Sequence, residues 1–168
     1  MLKSSPYILQ FSGLKLGNHS FEFLLEASFF DSCESFGIQK GSGIAKAELE
    51  KKETMMLLSL SLNATLEVLC DRCNENMSLD VNGHMELIYK FGTEESLDES
   101  LVILPPDSYQ IDMFQPVYEL LVVSLPTRFI HPNDGCDPEV LRFLNTPPPS
   151  QEKKIEIDPR WSALNKLN

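Results

Sequence analysis

The chain carries two cysteines separated by two residues, in the segment Cys-Asp-Arg-Cys at positions 70–73. This spacing allows a tight turn to aim both sulfurs at one metal ion. Further along, a histidine and a third cysteine stand with four residues between them, which is also a plausible ligand spacing. Together these residues predict a closed Cys₃His site for a structural zinc ion, with the ligands Cys70, Cys73, His131 and Cys136.

Two other interpretations of the cysteines stay open. The first is a redox pair, although reactive CxxC pairs usually sit at a helix N-terminus, where the dipole lowers the pKa of the first thiol. Here the alternation of Met77, Leu79 and Val81 predicts a strand after the pair, which disfavours redox chemistry. The second is that the thiols are buried without binding a metal, because free cysteine often behaves as a small apolar residue. That interpretation fits Cys33 best, since it stands apart from the other three in sequence.

Basic residues predict where a partner or RNA could be contacted. Arg72 lies between the two sulfurs, where it could offset the charge of three thiolates or reach a phosphate; the alternative is an exposed turn residue. A second group lies near the end of the chain beside the single tryptophan, which could stack on a base: Lys153, Lys154, Arg160, Trp161 and Lys166. The alternative for this group is a solvated face around a buried tryptophan.

Antiparallel strands are the elements that must position the CxxC pair. Apolar alternation and short apolar runs predict strands over 7–11, 20–26, 44–51, 54–62, 64–69 and 77–91. The CxxC segment falls at the connection between the last two of these strands. We expect Gly41-Ser42-Gly43 to break the chain, and residues 92–110 to form an acidic surface loop.

Helices are predicted in the second half of the chain. Apolar residues at helical spacing predict one helix from Phe114 to Leu125, with Asp112 and Gln115 as its capping box and Pro126 as its stop. A second helix is predicted to begin at 137–139, because Asp-Pro-Glu places a capping residue before a proline. A third is predicted over 160–167.

These elements predict an α+β fold, with an antiparallel, barrel-like sheet followed by two or three packed helices. A chain of 168 residues that is 42% hydrophobic can build one ordinary core. We therefore expect a single α+β domain with the CxxC knuckle over residues 1–146. The triproline at 147–149 predicts a linker, followed by a C-terminal helical tail, over residues 147–168.

Charge and the lack of targeting signals narrow the classes of function. The net charge of −11 opposes a broad nucleic-acid footprint, and residues 70–126 carry 11 acidic against 2 basic side chains. Such a region fits a basic protein partner, or it simply aids solubility. No signal peptide, membrane-spanning run or catalytic motif is evident in the sequence, so we expect a cytoplasmic, non-enzymatic protein with no membrane partner and no small-molecule substrate.

Several segments, in their order along the chain, resemble the YceD-like family. They are the Cys-x-Arg-Cys knuckle after a run of strands, the helix ending over 118–126, the stretch from Arg128 through His131 to Cys136, and the terminal Asp-Pro-Arg-Trp segment over 158–167. The resemblance covers roughly residues 40–168. The order of histidine before cysteine is similar to the branch found in Bacteroidetes-type bacteria. The family is associated with accumulation of large-subunit ribosomal RNA.

The resemblance implies a factor that supports large-subunit (23S) rRNA accumulation and ribosome assembly. Its implied partner is a ribosomal protein or assembly factor of the large subunit, with rRNA itself as a further possible contact. Many relatives carry cysteines where this chain has His131 and Cys136, so the metal role transfers more readily to Cys70, Cys73 and Cys136 than to His131. Two alternatives remain: a general protein-interaction adaptor without a ribosomal role, and a thiol redox protein.

Overall fold

A computed structural model describes residues 7–31, 36–93, 98, 100–132 and 135–145. The chain divides into two compact units, residues 1–136 and 137–168. In the second unit the described residues are 137–145. The predicted linker and the predicted helix over 160–167 lie outside the described residues, so the division at residue 147 stays a prediction.

Five strands form the main sheet, and they explain why the first half of the chain alternates. In sheet order they are β2 (Gly17–Leu25), β3 (Ile38–Lys51), β4 (Met55–Leu69), β5 (Asn76–Phe91) and β6 (Leu101–Leu104). Every second residue of β4 from Met56 to Val68 is buried, because successive side chains of a strand point to opposite faces. The outward positions of β4 carry mostly polar residues, so one face of the sheet packs on the core and the other faces solvent.

The α+β class is confirmed, but the sheet is not closed into a barrel. β2 and β6 form its two edges. The pairs from β2 to β5 are antiparallel, while β6 runs parallel to β5, with Ile88 opposite Leu101. Closure into a barrel would require β2 and β6 to pair, and instead β6 ends after four residues.

The predicted surface loop over 92–110 was wrong in part, because it contains β6 and the start of another strand. That strand, β7 (Gln110–Asp112), pairs with β1 (Ile8–Gln10) to form a separate two-stranded sheet. The pairings of β6 with β5 and of β7 with β1 join residues more than ten positions apart in sequence. The strands β1, β6 and β7 are each only three or four residues long. Such runs carry too little periodicity to be recognised without their partners.

The prediction that the Gly-Ser-Gly segment breaks the chain is wrong, because the segment lies inside β3. A Cβ atom at Gly41 would stand 2.7 Å from the ring of Phe30. Phe30 belongs to α1 (Ala27–Phe30), which packs on β3. Because Gly41 has no side chain, α1 can pack directly on β3, and the strand continues through the glycine.

The helix α2 (Phe114–Ser124) packs on β4 and β5 through its buried residues Val117, Leu120 and Leu121. Gly83 of β5 makes this possible, since a Cβ atom there would meet the side chains of Leu120 and Ser124. The carboxylate of Asp112 accepts a hydrogen bond from the N–H of Phe114 (2.9 Å), a turn contact just before the helix, whose N-cap residue is Met113.

The predicted capping box of Asp112 and Gln115 is not formed, because the N-cap residue is Met113 and its side chain makes no capping bond. Instead of reaching back to the helix start, the side chain of Gln115 donates to Glu119 (2.7 Å). In the second unit, α3 (Pro138–Asn145) begins where the Asp-Pro-Glu segment predicts, with the carboxylate of Asp137 accepting from the N–H of Glu139 (2.8 Å). None of the helices in the described part of the chain is long and apolar enough to cross a membrane.

Candidate metal centre

The turn between β4 and β5 presents the first two sulfurs. The N–H of Cys70 donates to the carbonyl of Glu75 (2.9 Å), and the N–H of Asn74 donates back to the carbonyl of Cys70 (2.8 Å). Asn74 has a φ of 60°, a left-handed conformation that asparagine adopts more readily than most residues. These bonds curl residues 70–75 into a compact knuckle at the end of two long paired strands.

The chain after α2 brings the other two ligand candidates to this knuckle. Pro126 prevents the helix from continuing, and the following segment runs beside the turn. The N–H of Asp71 donates to the carbonyl of Phe129 (2.7 Å), and the N–H of Phe129 donates to the carboxylate of Asp71 (2.8 Å). This reciprocal pair of hydrogen bonds fixes the segment two residues before His131.

The four predicted ligands lie together. The sulfurs of Cys70 and Cys136 are 3.8 Å apart, and Nδ1 of His131 lies 3.4 Å from the sulfur of Cys73 and 3.8 Å from that of Cys136. The ligand atoms of all four residues lie within 4.8 Å of one another.

The three separations of 3.4–3.8 Å are close to the edges of a zinc tetrahedron. An ion about 2.3 Å from each sulfur and about 2.0 Å from a nitrogen sets edges of about 3.8 Å between sulfurs and about 3.5 Å between sulfur and nitrogen. A disulfide would require about 2.0 Å between its sulfurs, far less than the separation of Cys70 and Cys136. The donor set therefore fits zinc in size, softness and number, and it leaves no position for a reacting water.

Burial of the site is uneven. Cys70 and Cys136 are buried, and Cys73 and His131 are half-buried. The cluster thus has a dry inner side formed by the core and an outer side at the protein surface. An ion could enter from the outer side, while the inner side would protect its bonds to sulfur from water.

Two of the thiols differ strongly in acidity. Burial alone would raise the pKa of Cys70, but the backbone N–H groups of Arg72, Cys73 and His131, together with the thiol of Cys73, lower it to about 6. The bond from the N–H of Arg72 to the sulfur measures 3.4 Å. Backbone donors around a sulfur stabilise its thiolate, which is the form that binds metal.

Cys136 shows the opposite behaviour. Burial raises its pKa to about 11, helped by hydrogen bonds to the sulfurs of Cys70 and Cys73 and by repulsion from them. A second thiolate beside Cys70 thus needs a neighbouring cation. The arrangement offers one ready thiolate and a further thiol that ionises once positive charge arrives, which suits a metal ion with two or more positive charges.

The remaining predicted contacts are placed only in part. Arg72 lies half-buried in the knuckle, and its backbone N–H donates to the sulfur of Cys70. The tail group lies outside the described residues: Lys153, Lys154, Arg160, Trp161 and Lys166. Their role in binding a partner or RNA therefore stays a prediction. Cys33 also lies outside the described residues.

Sequence reasoning missed the role of Asp71. Its position between the two cysteines is visible in the sequence, but its partner, the backbone of Phe129, lies 58 residues away. An aspartate in a turn commonly accepts a bond from a nearby N–H, and that preference is the only signal the sequence offers. The structure shows that this bond joins the two halves of the candidate metal centre.

The fold and the site together define a class of protein. It is an α+β protein in which the knuckle between β4 and β5 and the segment after α2 converge on a Cys₃His cluster. The chain belongs to the YceD family: the family model described as large ribosomal RNA subunit accumulation protein YceD matches residues 58–168. The match begins inside β4 and includes all four candidate ligands. It does not address the Bacteroidetes-type branch, which stays a prediction. No curated protein and no solved structure matches the chain.

Proposed function

We propose that this protein is a non-catalytic factor that supports accumulation of the large-subunit (23S) rRNA during ribosome assembly. Membership of the YceD family carries this proposal, because the family is described by that role. The site supports the non-catalytic part, since four protein ligands, which lie within 4.8 Å of one another, would fill the coordination shell of a tetrahedral zinc ion and leave no open position.

We further propose that Cys70, Cys73, His131 and Cys136 hold a structural zinc ion. When bound, such an ion supplies folding energy by joining the β4–β5 knuckle to the segment after α2. The chain's own residues prepare the site: Asp71 aligns the two segments, and backbone N–H groups stabilise the thiolate of Cys70. The surface built by the joined segments would then be available to a partner.

The acidic segment from Glu94 to Glu119 would engage a basic ribosomal protein or assembly factor of the large subunit. Residues 70–126 carry most of the excess negative charge, which complements such partners. Neutralising Glu94, Glu95, Asp98 and Glu99 to their amides should weaken association with ribosomal particles. Unchanged association in gradient sedimentation would show that this acidic segment is not the contact.

Depletion of the protein in its native cells tests the main proposal. We expect the ratio of large-subunit to small-subunit rRNA to fall, and the wild-type chain to restore it. Ultraviolet crosslinking of the sedimenting protein should then identify whether its contacts are rRNA or ribosomal proteins. An unchanged rRNA ratio, with the protein migrating only as free chains, would favour the general adaptor over the ribosomal role.

The redox alternative has one observation in its favour, the low pKa of Cys70. Against it, the side chain of Cys70 is only 1% exposed, and the pair lies in a turn between strands rather than at a helix N-terminus. Purification under reducing conditions distinguishes the two functions. A redox protein would be metal-free and would reduce a model disulfide, whereas a structural site would retain about one equivalent of zinc per chain.

A further inference from the structure

The β2 edge of the main sheet is open and regular. All nine residues of β2 pair with β3 in continuous register on one side, and no strand in the described part of the chain pairs with its other side. Proteins usually protect such edges with prolines, bulges or charged side chains. The segment Gly17–Leu25 contains no proline and no register shift.

The charge on β2 is also largely neutralised. Its one acidic or basic residue apart from His19 is Glu22, which forms an ion pair with Lys46 of β3 (3.0 Å). The opposite side of the sheet differs in charge. There β6 covers only the last four residues of β5, and the stretch of β5 from Asn76 to Leu87 that β6 leaves uncovered carries Asp80 and Glu86. β2 has a single acidic residue, which is already in an ion pair, so it is the less protected of the two edges.

An apolar pair lies on the solvent face beside this edge. Leu24 is 67% exposed, and it stands directly opposite Ile44 of β3, which is also exposed. A strand added beside β2 would place one of its own side chains next to this pair. The contact would therefore supply apolar burial in addition to backbone hydrogen bonds.

Acidic residues at the other end of β2 select the charge of the added strand. A groove of about 580 Å³ crosses the outer face of the sheet there, and Glu48, Glu50 and Glu86 line it. The residues of β2 opposite Glu48 and Glu50 are Ser20 and Asn18, whose short side chains leave these carboxylates within reach of long side chains from the edge. No lysine or arginine lines the groove, but Glu50 forms an ion pair with Lys52 (3.1 Å) beside it, so Glu48 is the more accessible of the two carboxylates to a partner's cation.

We infer that β2 binds an extended basic segment of a partner protein as a sixth strand of the sheet. An apolar residue of that segment would pack on Leu24 and Ile44, and its lysines or arginines would reach toward Glu48 and Glu50. A second copy of this chain fits less well, because each copy carries a net charge of −11 and would bring the same carboxylates. The inference depends neither on zinc nor on the ribosomal role.

A nine-residue peptide of alternating lysine and valine is a suitable probe. We expect it to bind the full-length chain and to slow amide hydrogen exchange within β2. The same peptide with glutamate in place of lysine should not bind. Absence of protection in β2 at millimolar lysine peptide would overturn the inference, and so would equal binding of the two peptides.

Two variants with the same chemical change separate the edge from the rest of the surface. Leu24→Lys should weaken binding of the lysine peptide about tenfold or more, because it places a like charge at the edge. Val123→Lys changes an equally accessible apolar residue on α2, 77% exposed, and should change the affinity by less than about twofold. Equal weakening by the two variants would show that the contact is only a general charge effect.

The double variant Glu48→Gln/Glu50→Gln tests the acidic groove separately. It should weaken binding of the lysine peptide and flatten its salt dependence, because screening acts on the removed charges. Unchanged salt dependence would show that the groove does not select the partner. Protection of β2 in the chain alone, together with a dimer in sedimentation, would identify a second copy as the occupant and overturn the basic partner.

Discussion

The two halves of the candidate metal centre are held in different ways. Cys70 and Cys73 lie in a knuckle closed by its own backbone hydrogen bonds and anchored by two long strands. His131 and Cys136 lie in a segment that contains no α-helix or strand in its described residues and is tied to the knuckle chiefly by Asp71. From this difference we predict that the first half is formed without a metal, whereas the second half would depend on a bound metal to stay in place.

Metal removal should therefore have the largest effect, and it should act locally. We expect a strong chelator to lower the melting temperature by about 10 °C or more, since structural zinc contributes several kcal/mol of folding energy. Amide exchange should rise over 126–136 and stay slow in the paired strands β3, β4 and β5. Calorimetry and hydrogen exchange on the same sample measure both effects.

The variant Cys136→Ser provides the control for chelation. It should already show the lower melting temperature, and the chelator should change it little further. A wild-type chain that is free of metal after reducing purification, with unchanged melting in chelator, would show that the four residues are a cluster of buried thiols instead. Uniformly faster exchange in all strands would contradict the difference between the halves.

Displacing α2 should have the next largest effect, because this helix leads directly to the second half. In Gly83→Ala the new Cβ atom would lie 2.9 Å from a methyl of Leu120 and also against Ser124. Overpacking of this kind costs about 1–3 kcal/mol. We expect denaturant unfolding to show this loss, together with weaker metal binding. Gly13→Ala is the matched control, since a Cβ atom there meets nothing within 4 Å.

A pH effect should report on the far end of β5 without involving the metal. Tyr89 is 2% exposed, and burial, with a smaller effect of Glu119, raises its pKa from the ordinary value of 10.0 to about 12. The folded protein holds this proton more tightly than the unfolded chain, so its stability contribution is complete below pH 10 and is lost between about pH 10 and 12. The loss should be about 2 kcal/mol.

Comparison with Tyr89→Phe isolates this contribution. The variant should lose less stability than the wild type between pH 10 and pH 12, with and without chelator. Tyr109→Phe should behave as the wild type, because Tyr109 is 58% exposed. An alkaline loss that changed with metal content would show that the two ends of β5 are not independent.

Local patterns explain which features the sequence could predict. The alternation in β4 and the apolar spacing of α2 repeat over several turns or residue pairs, so each identifies its element without a partner. The four ligand candidates could be chosen because cysteine and histidine at these spacings are uncommon outside metal and redox sites. The structure brings these four side chains together.

Features that depend on distant partners could not be predicted. The strand β6 can be recognised only through its parallel pairing with β5. That the sheet stays open could not be predicted, because no residue pattern reports which edges meet. The Gly-Ser-Gly segment suggested a break because glycine commonly marks turns. Its actual role is to receive the ring of Phe30, a contact that depends on the packing of α1.

The smallest predicted effect tests the connection between the two halves directly. In Asp71→Asn the side chain keeps its size and can still accept one hydrogen bond, but the bond from the N–H of Phe129 loses its charged acceptor. A hydrogen bond to a charged group is stronger than a neutral one, so we expect a loss of about 1 kcal/mol in stability. Zinc affinity should fall about tenfold, as it does when groups that orient metal ligands are changed.

Competition with a chromogenic zinc chelator measures that affinity, and Asp107→Asn serves as a control with the same chemical change on an exposed loop. If the second half depends on Asp71, the loss of affinity should come with faster exchange over 126–132 even in the zinc-bound protein. An unchanged affinity would mean that the ligands alone align the two segments. The knuckle and the post-helix segment would then be joined by the metal and not by the backbone.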